Sequence, residues 1–112
     1  MSRLLAQVLV CTGGSCLPSP GGPPVEALKT AWKQRRLYGR MHLTFTGCLG
    51  RCDRPAQVLI SHADGGLVFA GIDNPSWWDG LIVWAECCAA ANRILDPPES
   101  LTRHLDHPWS RS

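Results

Sequence analysis

The sequence predicts an α/β domain, a four-stranded mixed sheet with two main helices in the order β-α-β-β-β-α. Three observations lead there. Short apolar runs have strand length, two longer stretches repeat apolar residues at helical spacing, and glycine- and proline-rich joints separate them. With 112 residues, 45% of them apolar, the chain has material for one modest core. A strand, a helix and a second strand in succession imply a right-handed parallel unit, which a following hairpin extends antiparallel.

Leu5 to Val10 (LAQVLV) is nearly continuous in apolar residues and bounded by Cys11 and glycines, the pattern of a buried central strand. Thr12 to Pro24 holds four Gly and four Pro and must be a loop. From Val25 to Leu37 a helix follows, with Val25, Leu28 and Trp32 on one face and Lys29, Lys33 and Arg36 on the wet side. Pro23 and Pro24 suit its first turn and Gly39 its end. Met41 to Thr46 alternates as a second strand and enters the loop Gly47-Cys48-Leu49-Gly50-Arg51-Cys52. Gln57 to Ser61 and Leu67 to Ile72 flank the turn signal Ala63-Asp64-Gly65-Gly66, an antiparallel hairpin. Asn74-Pro75-Ser76 opens the last helix, Trp77 to Leu95, which stops before Pro97-Pro98. Residues 1–97 thus form the domain, and 98–112 read as a polar, flexible tail.

A net charge of +2 is too mild for a polybasic nucleic-acid binder, and no apolar run approaches the ~20 residues of a membrane span. The start MSRLLAQVLVC lacks a small-residue cleavage site, and Gln7 interrupts its apolar run, so a cytoplasmic protein is expected. Six cysteines in such a chain point to metal or redox chemistry rather than to structural disulfides.

Four of them lie in two loops, Cys11-x4-Cys16 and Cys48-x3-Cys52, each beginning where a predicted strand ends. If the two strands are parallel neighbours, about 4.8 Å apart, both loops leave one edge of the sheet and the four thiols converge. Gly13, Gly14, Gly47 and Gly50 let such loops turn tightly and bring backbone N–H groups near sulfur. Several chemistries use four thiols. A dithiol redox enzyme normally needs C-x-x-C, which neither pair has. Structural zinc more often takes C-x-x-C knuckles, whereas a 2Fe–2S cluster takes four thiolates and tolerates wider loops. Cysteines are also common buried apolar residues, a reading that suits Cys16, Cys48 and Cys52 badly because Gly/Pro loops cannot all be core.

VLVCTGGSC and FTGCLGRCDRPAQVLI resemble the thioredoxin-like 2Fe–2S ferredoxins and the related small iron–sulfur subunit of respiratory NADH dehydrogenase. The resemblance runs from the first strand to the last helix, and G-C-x-G-x-C is its most specific part. It implies a thioredoxin-like fold and four ligands, Cys11 and Cys16 on one iron and Cys48 and Cys52 on the other. It further implies a one-electron carrier, not an enzyme, working between donor and acceptor redox proteins. The x4 first gap is shorter than in many stand-alone ferredoxins. Asp53-Arg54-Pro55-Ala56 replaces the usual Gly-Pro approach to the third strand, and the tryptophan-rich last helix is atypical. A thiol–disulfide oxidoreductase, or a zinc or cluster-sensing module on the same fold, is the alternative.

The other polar and reactive residues read more plainly. Adjacent on a helix, Cys87 and Cys88 diverge by about 100° and cannot easily share an ion; Cys88 falls on the core stripe of Trp78, Leu81, Ile82, Ala85 and Ala89. His42, His62, His104 and His107 form no ligand set, the last two belonging to a solvated tail. Arg51 and Arg54 flank the second cysteine loop, where they can steer an acidic partner. Trp77, Trp84, Ala91 and Leu95 make a second apolar row that exceeds what one sheet face covers. The surplus predicts a homodimer through the last helix, at Trp77 and Trp84.

Overall fold

Ala6–Cys11 (β1) hydrogen-bonds on both sides, which fixes the rest of the sheet around it. A computed structural model of the chain describes residues 4–12, 22–47, 56–63 and 65–110, without the side chains of 107–110. In chain order the elements after β1 are α1 (Val25–Gln34), β2 (Met41–Thr46), β3 (Val58–His62), β4 (Gly65–Phe69), α2 (Ser76–Ala91), α3 (Glu99–Thr102) and β5 (Leu105–Ser110). The sheet order is β2-β1-β3-β4-β5. β1 and β2 are parallel, joined through α1, and every other pairing is antiparallel. The expected mixed sheet is therefore present, with five strands among the described residues rather than four.

Period-two patterning decides which sheet face is buried. Ala6, Val8 and Val10 point the same way as Met41 and Leu43 on β2 and Val58 and Ile60 on β3, and all are buried. Leu28 and Trp32 of α1 join them in one core with Trp78, Leu81, Ala85 and Cys88 of α2. The other face carries Leu9, Leu59 and Val68 in one cross-strand row, each half-buried, beside exposed Gln7 and His42.

Both helices end earlier than their apolar spacing suggests, because a residue past each end turns left-handed. α1 stops at Gln34, and Arg36 has φ 55°. α2 stops at Ala91, and Asn92 has φ 59°, with the N–H of Arg93 donating to Cys88 O at 3.2 Å. That is a Schellman-type closure, in which asparagine replaces the usual glycine. The Arg40 guanidinium donates to the Asn92 side-chain oxygen. Arg40 O in turn accepts from Leu5 N, so the end of α2 is tied to the amino-terminal end of β1.

The segment read as a flexible tail is built into the fold. β5 pairs with β4, and Ala70 N donates to His104 O at 2.9 Å. Pro108 sits in an edge strand, the position in a sheet that tolerates a missing N–H. His104 is not solvated tail either: its Nε2 lies 3.4 Å from Asp73 Oδ1 and its side chain is 18% exposed.

The same segment corrects the reading of the tryptophans. Trp77 and Trp84 are each 3% exposed, so neither forms a surface row. Trp77 stacks edge-on against Phe69 and Trp78, and its indole N–H donates to Leu101 O at 3.2 Å. Trp84 donates to Leu95 O at 3.1 Å. The surplus apolar arc is thus covered by the chain's own residues 95–101, and the argument for self-association at these two rings falls. Gly80 lets α3 approach, since a Cβ there would stand 3.2 Å from Leu101 Cδ2.

Leu101 is fully buried. Leu101→Ala should lower unfolding free energy by about 2–5 kcal/mol in urea titration, and truncation after Pro98 should destabilise more. Unchanged midpoints would mean that 98–112 does not hold α2.

Candidate metal centre

Cys11 closes β1 at its carboxyl end and is completely buried. Its N–H donates to Gln57 O at 3.1 Å, on the β3 side. On the β2 side its Cα partner is Thr46, the last residue of that strand. The next residue, Thr12, makes two bonds to one acceptor: its N–H and its hydroxyl both donate to Thr46 O, each at 2.8 Å. Gly47 follows Thr46, one residue before Cys48. Among the described residues, nothing lies within 4 Å of a Cβ built on Gly47.

The strands that lead into the two cysteine-bearing segments are therefore adjacent, parallel and hydrogen-bonded, and they end at the same edge of the sheet. Cys16, Cys48 and Cys52 lie outside the described residues, as do Gly13, Gly14, Gly50, Arg51 and Arg54. Among the described residues no group of three or more His, Cys, Asp or Glu side chains gathers. What the described part offers a metal is one soft sulfur, Cys11, on a strand end held from both sides. Such a donor fits a thiolate-ligated iron or zinc site. Lys29 Nζ sits 5.6 Å from the centre of the Phe45 ring, near this end of β2.

Neither a protein-family model nor any curated protein matches the sequence. Solved structures do match by shape. A thioredoxin-like [2Fe-2S] ferredoxin from Aquifex aeolicus superposes with a TM-score of 0.57 at 17% identity, over 97% of this chain and 96% of that one. The chain has the thioredoxin-like fold. A crystal structure of the wild-type thioredoxin-like [2Fe-2S] ferredoxin from the same organism gives 0.51 at 15% identity, over 92% and 97% of the two chains.

In this thioredoxin-like fold the helix cysteines sit towards the opposite end. The Arg40–Asn92 bond holds the end of α2 at the start of β1 and β2, whereas Cys11 and Thr46 are at their finish. Cys88 is buried, as its place on the core stripe predicts, and Leu95 N donates to its sulfur at 3.3 Å. Cys87 is exposed. It borders a cleft of ≈ 500 Å³ with Val83, Trp84, Leu95 and Pro98; a second, of ≈ 530 Å³, lies between His62, Leu67, Arg93 and Asp96. No described helix is long and apolar enough to cross a membrane. The site residue that sequence reasoning missed is Thr12. Its signal was a hydroxyl at a strand end beside a candidate ligand, but its partner is a backbone carbonyl, which carries no side-chain pattern.

Burial pushes the Cys88 thiol up, partly offset by the Leu95 N–H, while neighbouring Cys87 raises it further. A raised folded-state pKa contributes stability that is complete below the unfolded thiol value, about 8.5, and is lost as pH climbs through the folded value. Urea stability should therefore fall above pH ~9 more steeply in the native chain than in Cys88→Ala. A maleimide at pH 8 should label Cys87 and spare Cys88 until the chain unfolds. Equal labelling of both would contradict this burial.

Proposed function

We propose that the protein is a one-electron carrier holding a single 2Fe–2S cluster through Cys11, Cys16, Cys48 and Cys52. One observation carries the reading: Cys11 is paired in parallel register with Thr46, two residues ahead of Cys48. The segments VLVCTGGSC and FTGCLGRC thus start side by side. The fold, shared with structures described as [2Fe-2S] ferredoxins, supports it. Cys11 and Cys16 would hold one iron and Cys48 and Cys52 the other. When bound, the cluster supplies one-electron redox chemistry without making or breaking a bond to substrate.

The chain's own residues then have three tasks. Cys11, at the inner end of β1, keeps its sulfur away from water, and burial of this kind tunes the potential. The glycines at Gly47 and Gly50 let backbone N–H groups approach sulfur. Arg51 and Arg54, with Lys29 nearby at the end of β2, would give the edge a positive rim for an acidic donor or acceptor. Four thiolates leave no open position for a substrate, which favours a carrier over an enzyme.

Iron and acid-labile sulfide analysis of the purified protein, with spectra before and after dithionite, tests the reading. The expected result is a red-brown protein with two irons and two sulfides per chain, and an electron-paramagnetic-resonance signal of about one spin per two irons on reduction. Serine at Cys11, Cys16, Cys48 or Cys52 should destabilise or shift the chromophore, while Cys87→Ser and Cys88→Ala keep it. Stoichiometric zinc, or a colourless protein cycling a disulfide, would replace this function by one of its alternatives. Arg51→Glu and Arg54→Glu should slow transfer to an acidic partner without changing the spectrum, and native rates should fall as salt rises.

A further inference from the structure

We propose that Thr12 is a positioning residue that sets the separation of the two cysteine loops; this rests on the cluster reading above. Cys11 and Cys48 belong to different strands, and their relative position depends on what ties the strand ends together. The last regular pair in that register is Cys11 with Thr46. Beyond it, Thr12 closes the end: its N–H and its Oγ1 each lie 2.8 Å from Thr46 O. A carbonyl oxygen has two lone pairs, and one residue occupies both.

The consequence is geometric. Two donors from one residue hold the plane of the Thr46–Gly47 peptide and so the direction in which the chain leaves for Cys48. The same bonds fix the Thr12 backbone and side chain, and hence the direction in which β1 leaves Cys11 for the first loop. Both exits are set by one residue, while Cys11 is held from the other side by its bond to Gln57 O. Glycine at 47 cannot supply this restraint, because it has the widest backbone freedom of any residue. A cluster that bridges the two loops needs their exits at a fixed spacing, and Thr12 provides it. Because Thr12 acts through Thr46 and Gly47, it touches no cluster atom by this argument.

Thr12→Val keeps shape and the backbone bond but removes the hydroxyl; Thr12→Ser restores it. The control is Thr44→Val, which removes a half-buried hydroxyl from β2, 3.0 Å from His42 Nδ1, without touching the clamp. The measurements are visible circular dichroism, the electron-paramagnetic-resonance line shape after reduction, the reduction potential, and the rate of iron loss to a chelator. For Thr12→Val we expect altered line shape and dichroism, a shifted potential, and iron loss about five- to tenfold faster, the scale of one hydrogen bond. Thr12→Ser and Thr44→Val should match the native protein. If Thr12→Val does not fold by far-ultraviolet dichroism, Thr12→Ala carries the same comparison. A native protein with its cluster, and hydroxyl-free folded variants identical to it in all four measurements, overturns the clamp and leaves the function standing. A native protein that assembles no iron–sulfur cluster overturns both.

Discussion

The double pairing of β1 is the constraint from which the rest of the structure follows. Its parallel register with β2 forces the chain between them to cross over as α1, and its antiparallel register with β3 starts a run that β4 and β5 complete. The residues that fill its buried face, Ala6, Val8 and Val10, are those on which α1 and α2 close the core. Its carboxyl end delivers Cys11 to the sheet edge already aligned with Thr46. Core face and candidate site therefore share one strand, and a one-residue slip would move Cys11 and the core face together.

A second dependence runs between α2 and the residues after it. α2 is apolar around most of its circumference, more than the sheet alone can cover. Leu95, Leu101 and the backbone carbonyls they carry satisfy both the rings and the indole N–H groups of Trp77 and Trp84. Buried indole donors need such partners, and here each finds one in the chain itself. Among the residues that α2 turns outward are Val83, 57% exposed, and Cys87, beside the charged Asp79 and Glu86.

Much of this was legible in the residues. Met41 to Thr46 alternates cleanly and is β2 to the residue, and the Ala63-Asp64-Gly65-Gly66 signal marks the β3–β4 hairpin. What escaped was set by contacts distant in sequence. Asn92 ends α2 with the help of Arg40, 52 positions away, and no local pattern announces that. β5 escaped because Pro108 and polar neighbours argue against a strand unless it lies at an edge. Helical spacing sets Trp77 and Trp84 beside the row that faces the sheet, and it carries no sign of the segment that folds back over them. At the site, Cys11 was readable from its position at the end of an apolar run. Thr12 was not, because its partner is a main-chain oxygen 34 residues on.

The short covering segment has a consequence for association between chains. Trp77 and Trp84 stay covered only while Leu95 and Leu101 are docked, so a local opening of that short segment displays both indoles and the flank of α2. The four strands and two helices that precede them already have partners for one another, so a partly formed domain can collapse with that flank exposed. Exposed aromatic surface on a collapsed intermediate is what promotes association between chains and what chaperones hold. Closure of this domain is thus governed by residues 95–101, which seal the surface that the earlier ones create.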